Sequence, residues 1–192
     1  MENGTVPEAW KRSRVTLIHK GNGKPKEKIE NYRPIAVMNV MAKVFGTVIN
    51  EKLKRWAEEN KVWGEEQAGF RKGRGGLENI VFVMRDIIEK YKKSGKGLYL
   101  VFLDIEKAYD TVDRQRLFSL LKHIGMDCKV VKVLEDFYKN NEVKFTLGTV
   151  NTGWIKNNVG VRQGCVMSPT LFNIYLEELL TRIRVSGRAT EI

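Results

Sequence analysis

The chain has 192 residues, 42% hydrophobic and 30% charged, with 34 Lys and Arg against 23 Asp and Glu for a formal net charge of +11. This is the composition of a folded chain with a sizeable core, and it excludes disordered and fibrous classes. It has no run near the ~20 apolar residues of a membrane span and no secretory signal pattern in its opening MENGTVPEAW, so a protein of the cytoplasm or nucleus, away from membranes, is expected.

In chain order, Val15-Thr16-Leu17-Ile18 reads as a strand, GNGKPKEK (21–28) as a loop of chain breakers, and Tyr32-Arg33-Pro34-Ile35 as the next extended run. Asn39 is placed to cap a helix with an apolar stripe at Met41, Val44, Phe45, Val48, Ile49, Leu53 and Trp56. A Gly- and Arg-rich connector, GFRKGRGG (69–76), leads to a second helix through Leu77, Ile80, Val81, Met84, Ile87, Ile88 and Tyr91, stopped by Gly95 and Gly97.

LYLVFLD (98–104) is a nearly continuous apolar run ending in a carboxylate, the pattern of a central strand buried on both faces. Leu117 to Ile124 marks a helix stopped by Gly125, and Val130 to Tyr138 marks another. Val143, Phe145 and Leu147 alternate as in a strand, with hairpin continuing to Val161. Ser168-Pro169 reads as N-cap and first-turn proline of a last helix reaching Ile183. The sum is an α+β architecture in two parts, residues 1–97 basic and mostly helical, residues 98–192 a β/α mixture.

The charge is concentrated. Residues 1–96 hold 21 basic and 12 acidic side chains, residues 97–192 hold 13 and 11, and Lys11 to Arg33 has eight basic against two acidic. A local field of that sign suits a phosphate polyanion, though a solvated basic surface has the same composition. Cys128, Cys165, His19 and His123 give neither a disulfide framework nor zinc-ligand spacing.

Two stretches can carry chemistry. Asp104, at the exit of the expected buried strand, either offers its oxygens to a hard cation such as Mg²⁺, which binds one or two carboxylates plus substrate phosphates, or caps the turn that follows. Asp113 is placed to cap the helix beginning Arg114-Gln115. In VRQGCVMSPTLF (161–172), Gly164 lets a ligand approach the backbone and Gln163 offers an amide donor and acceptor. An ordinary turn before a capped helix would look the same.

VFLDIEKAYD followed about fifty residues later by GVRQGCVMSPTLFNIYLEELL resembles the reverse transcriptases, specifically those of non-LTR (LINE-like) retrotransposons. WKRSRVTLIHKGNGK, NYRPIAVMNVMAKVFGTVINEKLKRW and EQAGFRKGRGGLENI are similar to the family's earlier motifs, in order, so the resemblance spans nearly the whole chain. It implies the fingers and first part of the palm of a right-hand polymerase. The implied activity is RNA-directed DNA synthesis, transferring nucleotides from dNTPs to a DNA or RNA primer on an RNA template with two Mg²⁺ ions.

By position, the resemblance makes Asp104 the catalytic, metal-binding aspartate with the Ile105 carbonyl as a supporting ligand. It makes Tyr109 a steric gate under the sugar; without the resemblance Tyr109 reads as a packed aromatic. Gln163 and Gly164 would line the nucleotide pocket, and Lys20 and Arg33 would grip the triphosphate. Arg71, Lys72 and Arg74 would lie near template or primer phosphates. Gly75-Gly76 stand where the family has Ser-Thr, expected to loosen the second helix's start, and Val166-Met167 where it has Pro-Leu, expected only to repack the core.

The family's Tyr-x-Asp-Asp hairpin, which supplies the second carboxylate pair, does not occur before Ile192, and neither does a thumb. The 192 residues alone are therefore expected to be inactive, and the competing reading is a truncated or degenerate element remnant that binds nucleic acid without catalysis.

Overall fold

The computed structural model describes residues 4–74 and 77–186. Strand β1 (Arg12–His19) pairs antiparallel with β2 (Tyr32–Met38), with Val15 opposite Ala36 and Leu17 opposite Pro34. Pro34 donates no backbone hydrogen bond, and β2 is accordingly the edge of the sheet, whose order is β2-β1-β3-β4. On its other side β1 runs parallel to β3 (Glu142–Leu147), Val15 opposite Phe145. Short strands β4 (Val150–Asn151) and β5 (Ile155–Lys156) fold back antiparallel on β3. The sheet therefore joins chain from both sides of residue 97.

Alternation sorts the sheet's two faces. Ser13, Val15 and Met38 are buried, while Arg12, Arg14, Thr16, Ile18, Arg33, Ile35 and Val37 are exposed. The buried face meets a core built mainly from helices α3 (Arg114–His123), α4 (Cys128–Tyr138) and α5 (Ser168–Val185). Leu117, Leu121, Leu134, Phe137, Met167, Leu171 and Ile174 are all but fully enclosed there, each worth on the order of 1.5–3 kcal/mol of burial. Asp113 caps α3 as its spacing predicts, its Oδ1 accepting from the Gln115 and Arg116 amides. Asn39 likewise caps α1 (Val40–Glu59), accepting from Met41 and Ala42.

Three expectations need correction. The stripe assigned to α1 is rotated: Ala42, Gly46, Asn50, Leu53 and Ala57 are buried, whereas Met41 is 57% exposed and Val44 and Val48 each 53%. Small residues let this helix approach Cys165 and Met167, and a Cβ on Gly46 would stand 3.9 Å from each side chain. Hydrophobicity ranks large side chains first, so it misses a face chosen for close approach. Ser168 does not cap α5; Met167 holds that position, and the Ser168 hydroxyl donates to the Arg162 carbonyl at 2.6 Å.

The third correction is the largest. LYLVFLD forms no strand: Tyr99 is 95% exposed, Phe102 76% and Leu103 82%. A central strand needs ladder partners, and among the described residues none pairs with this segment; β1 and β3 bond each other instead. Helix α2 (Leu77–Ser94) forms where its pattern predicts, with Ile80, Val81 and Phe82 exposed. Of the two departures from family pattern, Met167 fills the core while Val166 lies at the surface. Gly75-Gly76 fall outside the described residues.

Candidate active site

Tyr109 is the pivot of the site. Its carbonyl accepts the Val161 amide at 2.8 Å, and the Gly160 amide reaches the Val112 carbonyl at 3.0 Å, so the turn after Asp104 is stitched to the loop before α5. Its ring meets Phe172 edge-on at 5.5 Å, and burial pushes its phenol pKa up. A Cβ on Gly160 would come within 2.6 Å of the Tyr109 carbonyl oxygen, at a φ of +76°. Only glycine permits that approach at that φ.

Two and three residues past Val161 stand Gln163 and Gly164, both exposed. Gly164 has φ +83°, and a Cβ there would fall 2.7 Å from the Ala36 carbonyl oxygen and 3.5 Å from its Cβ. The loop thus lies against the Ala36 side of edge strand β2, and its flank Arg162 is buried. The Arg162 guanidinium donates to the Trp10 and Arg12 carbonyls at 2.8 and 3.4 Å and lies 4.9 Å from the Phe137 ring centroid. Tyr109, Gln163, Gly164 and β2 are therefore one neighbourhood.

Arg33 and Lys20 belong to the same hairpin but to its other side. Arg33 pairs with Ile18 and is exposed; Lys20 donates from Nζ to the Glu30 carbonyl at 2.6 Å. Asp104 and Ile105 are exposed in the irregular segment. No group of three His, Cys, Asp or Glu residues gathers among the described residues. Asp104 with one carbonyl does not fit a two-ion centre, which needs more negative charge.

The connector is divided between structure and surface. Arg71 is buried: its fork grips both Glu58 carboxylate oxygens at 2.9 and 2.8 Å, and Nη1 donates to the Gly64 and Gln67 carbonyls at 2.6 and 3.2 Å. Gln67 donates to the Asn173 carbonyl at 3.0 Å, and the Asn173 amide to the Gly69 carbonyl at 2.6 Å. The Gln-x-Gly-Phe-Arg spacing therefore ties the connector to α1 and α5. Lys72 is exposed, and Arg74 pairs with Glu65.

Sequence reasoning missed Arg114. It is buried beneath the Asp113 cap and donates to the carbonyls of Gly160, Tyr138, Asn157 and Val159 at 2.7 to 3.1 Å. Burial lowers its pKa to about 10. It secures the loop that carries Gly160 and Gln163, yet nothing in its sequence surroundings separates it from a solvated helix cation. The clefts along α5, lined by residues such as Arg116, Tyr175 and Glu178, contain none of the predicted site residues.

Residues 19–188 match the family model described as reverse transcriptase (RNA-dependent DNA polymerase). The chain belongs to that family. It is 27% identical to a probable RNA-directed DNA polymerase from transposon BS of Drosophila melanogaster, over 90% of this chain and 19% of the relative. It is 30% identical to one from transposon X-element of the same fly, again over 90% and 19%. With a retrovirus-related Pol polyprotein from a type-1 R2 element of Nasonia vitripennis it shares 26% identity over 95% and 17%. The chain thus spans about a fifth of the length of these relatives, all named for mobile elements, as the motif order implies.

Proposed function

We propose that this chain is the fingers and the first part of the palm of an RNA-directed DNA polymerase that extends a DNA or RNA primer with dNTPs on an RNA template. What supports the reading is that the Tyr109 carbonyl is bonded to the loop of Gln163 and Gly164, some fifty residues on in sequence, and that Gly164 lies against Ala36 of the edge strand bearing Arg33. Because β2 is an edge strand, a long side chain on its outer face can reach round to the Gly164 side. There the Arg33 fork and the Lys20 ammonium neutralise a triphosphate, which is the positioning and charge stabilisation that nucleotidyl transfer requires.

Gly164 keeps the pocket floor at backbone height, and the exposed Gln163 amide supplies a donor and an acceptor. Tyr109, clamped by the Val161 amide and by Phe172, presents a fixed edge that admits a 2′-hydrogen and clashes with a 2′-hydroxyl. Asp104 would supply one carboxylate and Ile105 one carbonyl oxygen to Mg²⁺, and these two groups by themselves do not make a two-ion centre. Lys72 and Arg74 face the template or primer, while Arg71 holds their loop in place.

The test is sugar selection by the complete product of the gene on an RNA template. Tyr109→Ala should lower the ratio of kcat/KM for dCTP over CTP, because the repulsive element that discriminates is removed. Equal loss on both nucleotides would make Tyr109 a packing residue and remove the gate.

A further inference from the structure

Arg162 is a cation whose charge no carboxylate balances. It is 4% exposed, burial lowers its pKa, and among the described residues no acid pairs with it. Tyr138 and Cys165 adjoin it, a second buried cation, Arg114, lies near enough to repel it, and its Nε has no hydrogen-bond partner among the described residues. An uncompensated buried charge is unfavourable, and an apolar side chain fills space better. What arginine supplies is a rigid fork whose arms reach two carbonyls at once.

That fork joins two parts of the chain some 150 residues apart. At one end, Nη1 donates to the Trp10 carbonyl at 2.8 Å and Nη2 to that of Arg12 at 3.4 Å. At the other, the Arg162 carbonyl accepts the Cys165 amide at 3.0 Å and the Ser168 hydroxyl at 2.6 Å. The Cys165 bond closes a four-residue turn with Gln163 and Gly164 at its centre. Gly164 stands third in that turn with φ +83°, the sign that type II geometry requires there. The exposed Gln163 amide is therefore carried at the tip of a turn whose base is Arg162.

The receiving end is itself fixed. Residues Glu8–Lys11 form a 3₁₀ turn, and the Trp10 ring meets Phe45 of α1 at 5.4 Å. Asp136 of α4 clasps the segment from two sides, Oδ2 accepting the Val6 amide at 2.7 Å and Oδ1 the Lys11 ammonium at 3.1 Å. Glu8 accepts from the same ammonium at 2.8 Å, and Lys11 is buried, so the clasp is enclosed. Arg12 then opens β1, whose partner β2 sets the Ala36 carbonyl against Gly164.

We propose that Arg162 is a positioning residue for the nucleotide pocket, and that the segment from Val6 to Arg12, clasped by Asp136, is the anchor through which it fixes the Gln163–Gly164 turn. The inference rests on the reading that Gln163 and Gly164 line that pocket. Arg162 touches no reacting group; it acts through Gln163, whose amide meets the nucleotide only while the base of the turn is held. Lysine at this position keeps the charge but reaches one carbonyl, leaving the turn free to rock about the bond that remains. A displacement of about 1 Å in a substrate-positioning group can change rates on the order of a hundredfold.

Two measurements separate placement from chemistry. The first is hydrogen exchange in this chain, which needs no nucleotide. Arg162→Lys should speed exchange of the Cys165 amide, whose bond closes the turn, by about tenfold or more while leaving the α3 amides unchanged. Asp136→Asn alters the clasp and not the turn, and should act on the same amide to a smaller extent. The second is dNTP kinetics of the complete gene product at a temperature where each variant is folded. Arg162→Lys should raise the KM for dNTP about tenfold and Asp136→Asn about threefold, with primer–template Kd unchanged. The two combined should be less than additive, because both act on one anchor. Arg116→Lys, on the exposed side of α3, should change none of these quantities.

An unaltered Cys165 amide in both variants would overturn the proposal, as would acceleration shared equally by the α3 amides, which reports lost stability alone. A loosened turn with an unchanged KM for dNTP would also overturn it and make Arg162 a packing residue. Failure of the pocket reading looks different: Gln163→Ala then leaves the KM for dNTP unchanged, which removes the nucleotide from the assignment although the exchange results stand.

Discussion

At the scale of single residues, the site depends on backbone approaches that admit no side chain. Gly164 meets the Ala36 carbonyl where a Cβ would fall at 2.7 Å, on backbone that cannot swing aside. Gly164→Ala should therefore destabilise the fold by about 1–3 kcal/mol, through strain at positive φ and displacement of β2. Urea titration checks this, and an unchanged midpoint would mean the loop is not seated on β2. Arg114 makes the complementary argument for polar groups. Arg114→Lys keeps the charge but loses the fork, leaving buried carbonyls among those of Gly160 and Tyr138 unmet, and should cost about 2–4 kcal/mol in the same titration. Full stability in that variant would reduce the buried cation to a spectator.

The element scale shows what could be read from the sequence and what could not. Caps and strand alternation are local, so Asn39, Asp113 and the Val143-Phe145-Leu147 pattern placed α1, α3 and β3 correctly. The inward face of α1 was not legible, because it is selected by how near the loop around Cys165 must come. LYLVFLD was misread for a related reason: local hydrophobicity specifies a strand only when a partner strand supplies the ladder. The family resemblance singles out Tyr109, Gln163 and Gly164, while Arg114 and Arg162 stay hidden, since burial of a cation is decided by distant carbonyls.

The Gln-x-Gly-Phe-Arg connector belongs to this scale too, and its tie to α1 is titratable. The hydrogen bond from Arg71 holds the Glu58 carboxyl below its ordinary value of 4.5, against an opposing effect of burial. A depressed folded-state pKa gives stability that is present above the unfolded value and lost as pH falls through the folded one. The melting temperature should therefore fall on acidification below about pH 4.5, by less in Glu58→Gln than in the wild type. Parallel curves for the two proteins would show that this ion pair does not hold the connector.

Over the whole molecule, one sheet presents two unlike faces. The buried side seats the core and the loop of Gly164; the outer side collects cations that are scattered in the sequence. Parallel pairing of β1 with β3 sets Arg14 beside Lys144, so charge counted along the chain does not show where cations gather on the sheet. The α+β class and the family follow from pattern and motif order, and the family match over residues 19–188 agrees with both. No described helix is long and apolar enough to cross a membrane.

The central claim is that Asp104, Tyr109 and the Gln163-Gly164 loop form part of a centre that copies RNA into DNA. The most direct measurement is single-turnover primer extension on an RNA template by the complete gene product, with Mg²⁺ and all four dNTPs, comparing the wild type with Asp104→Asn. The account predicts template-dependent DNA from the wild type and at least a hundredfold slower extension from the variant, roughly 2.7 kcal/mol of transition-state stabilisation, with primer–template binding unchanged. Equal extension by the two proteins, or no DNA from the wild type on any RNA template, would contradict it.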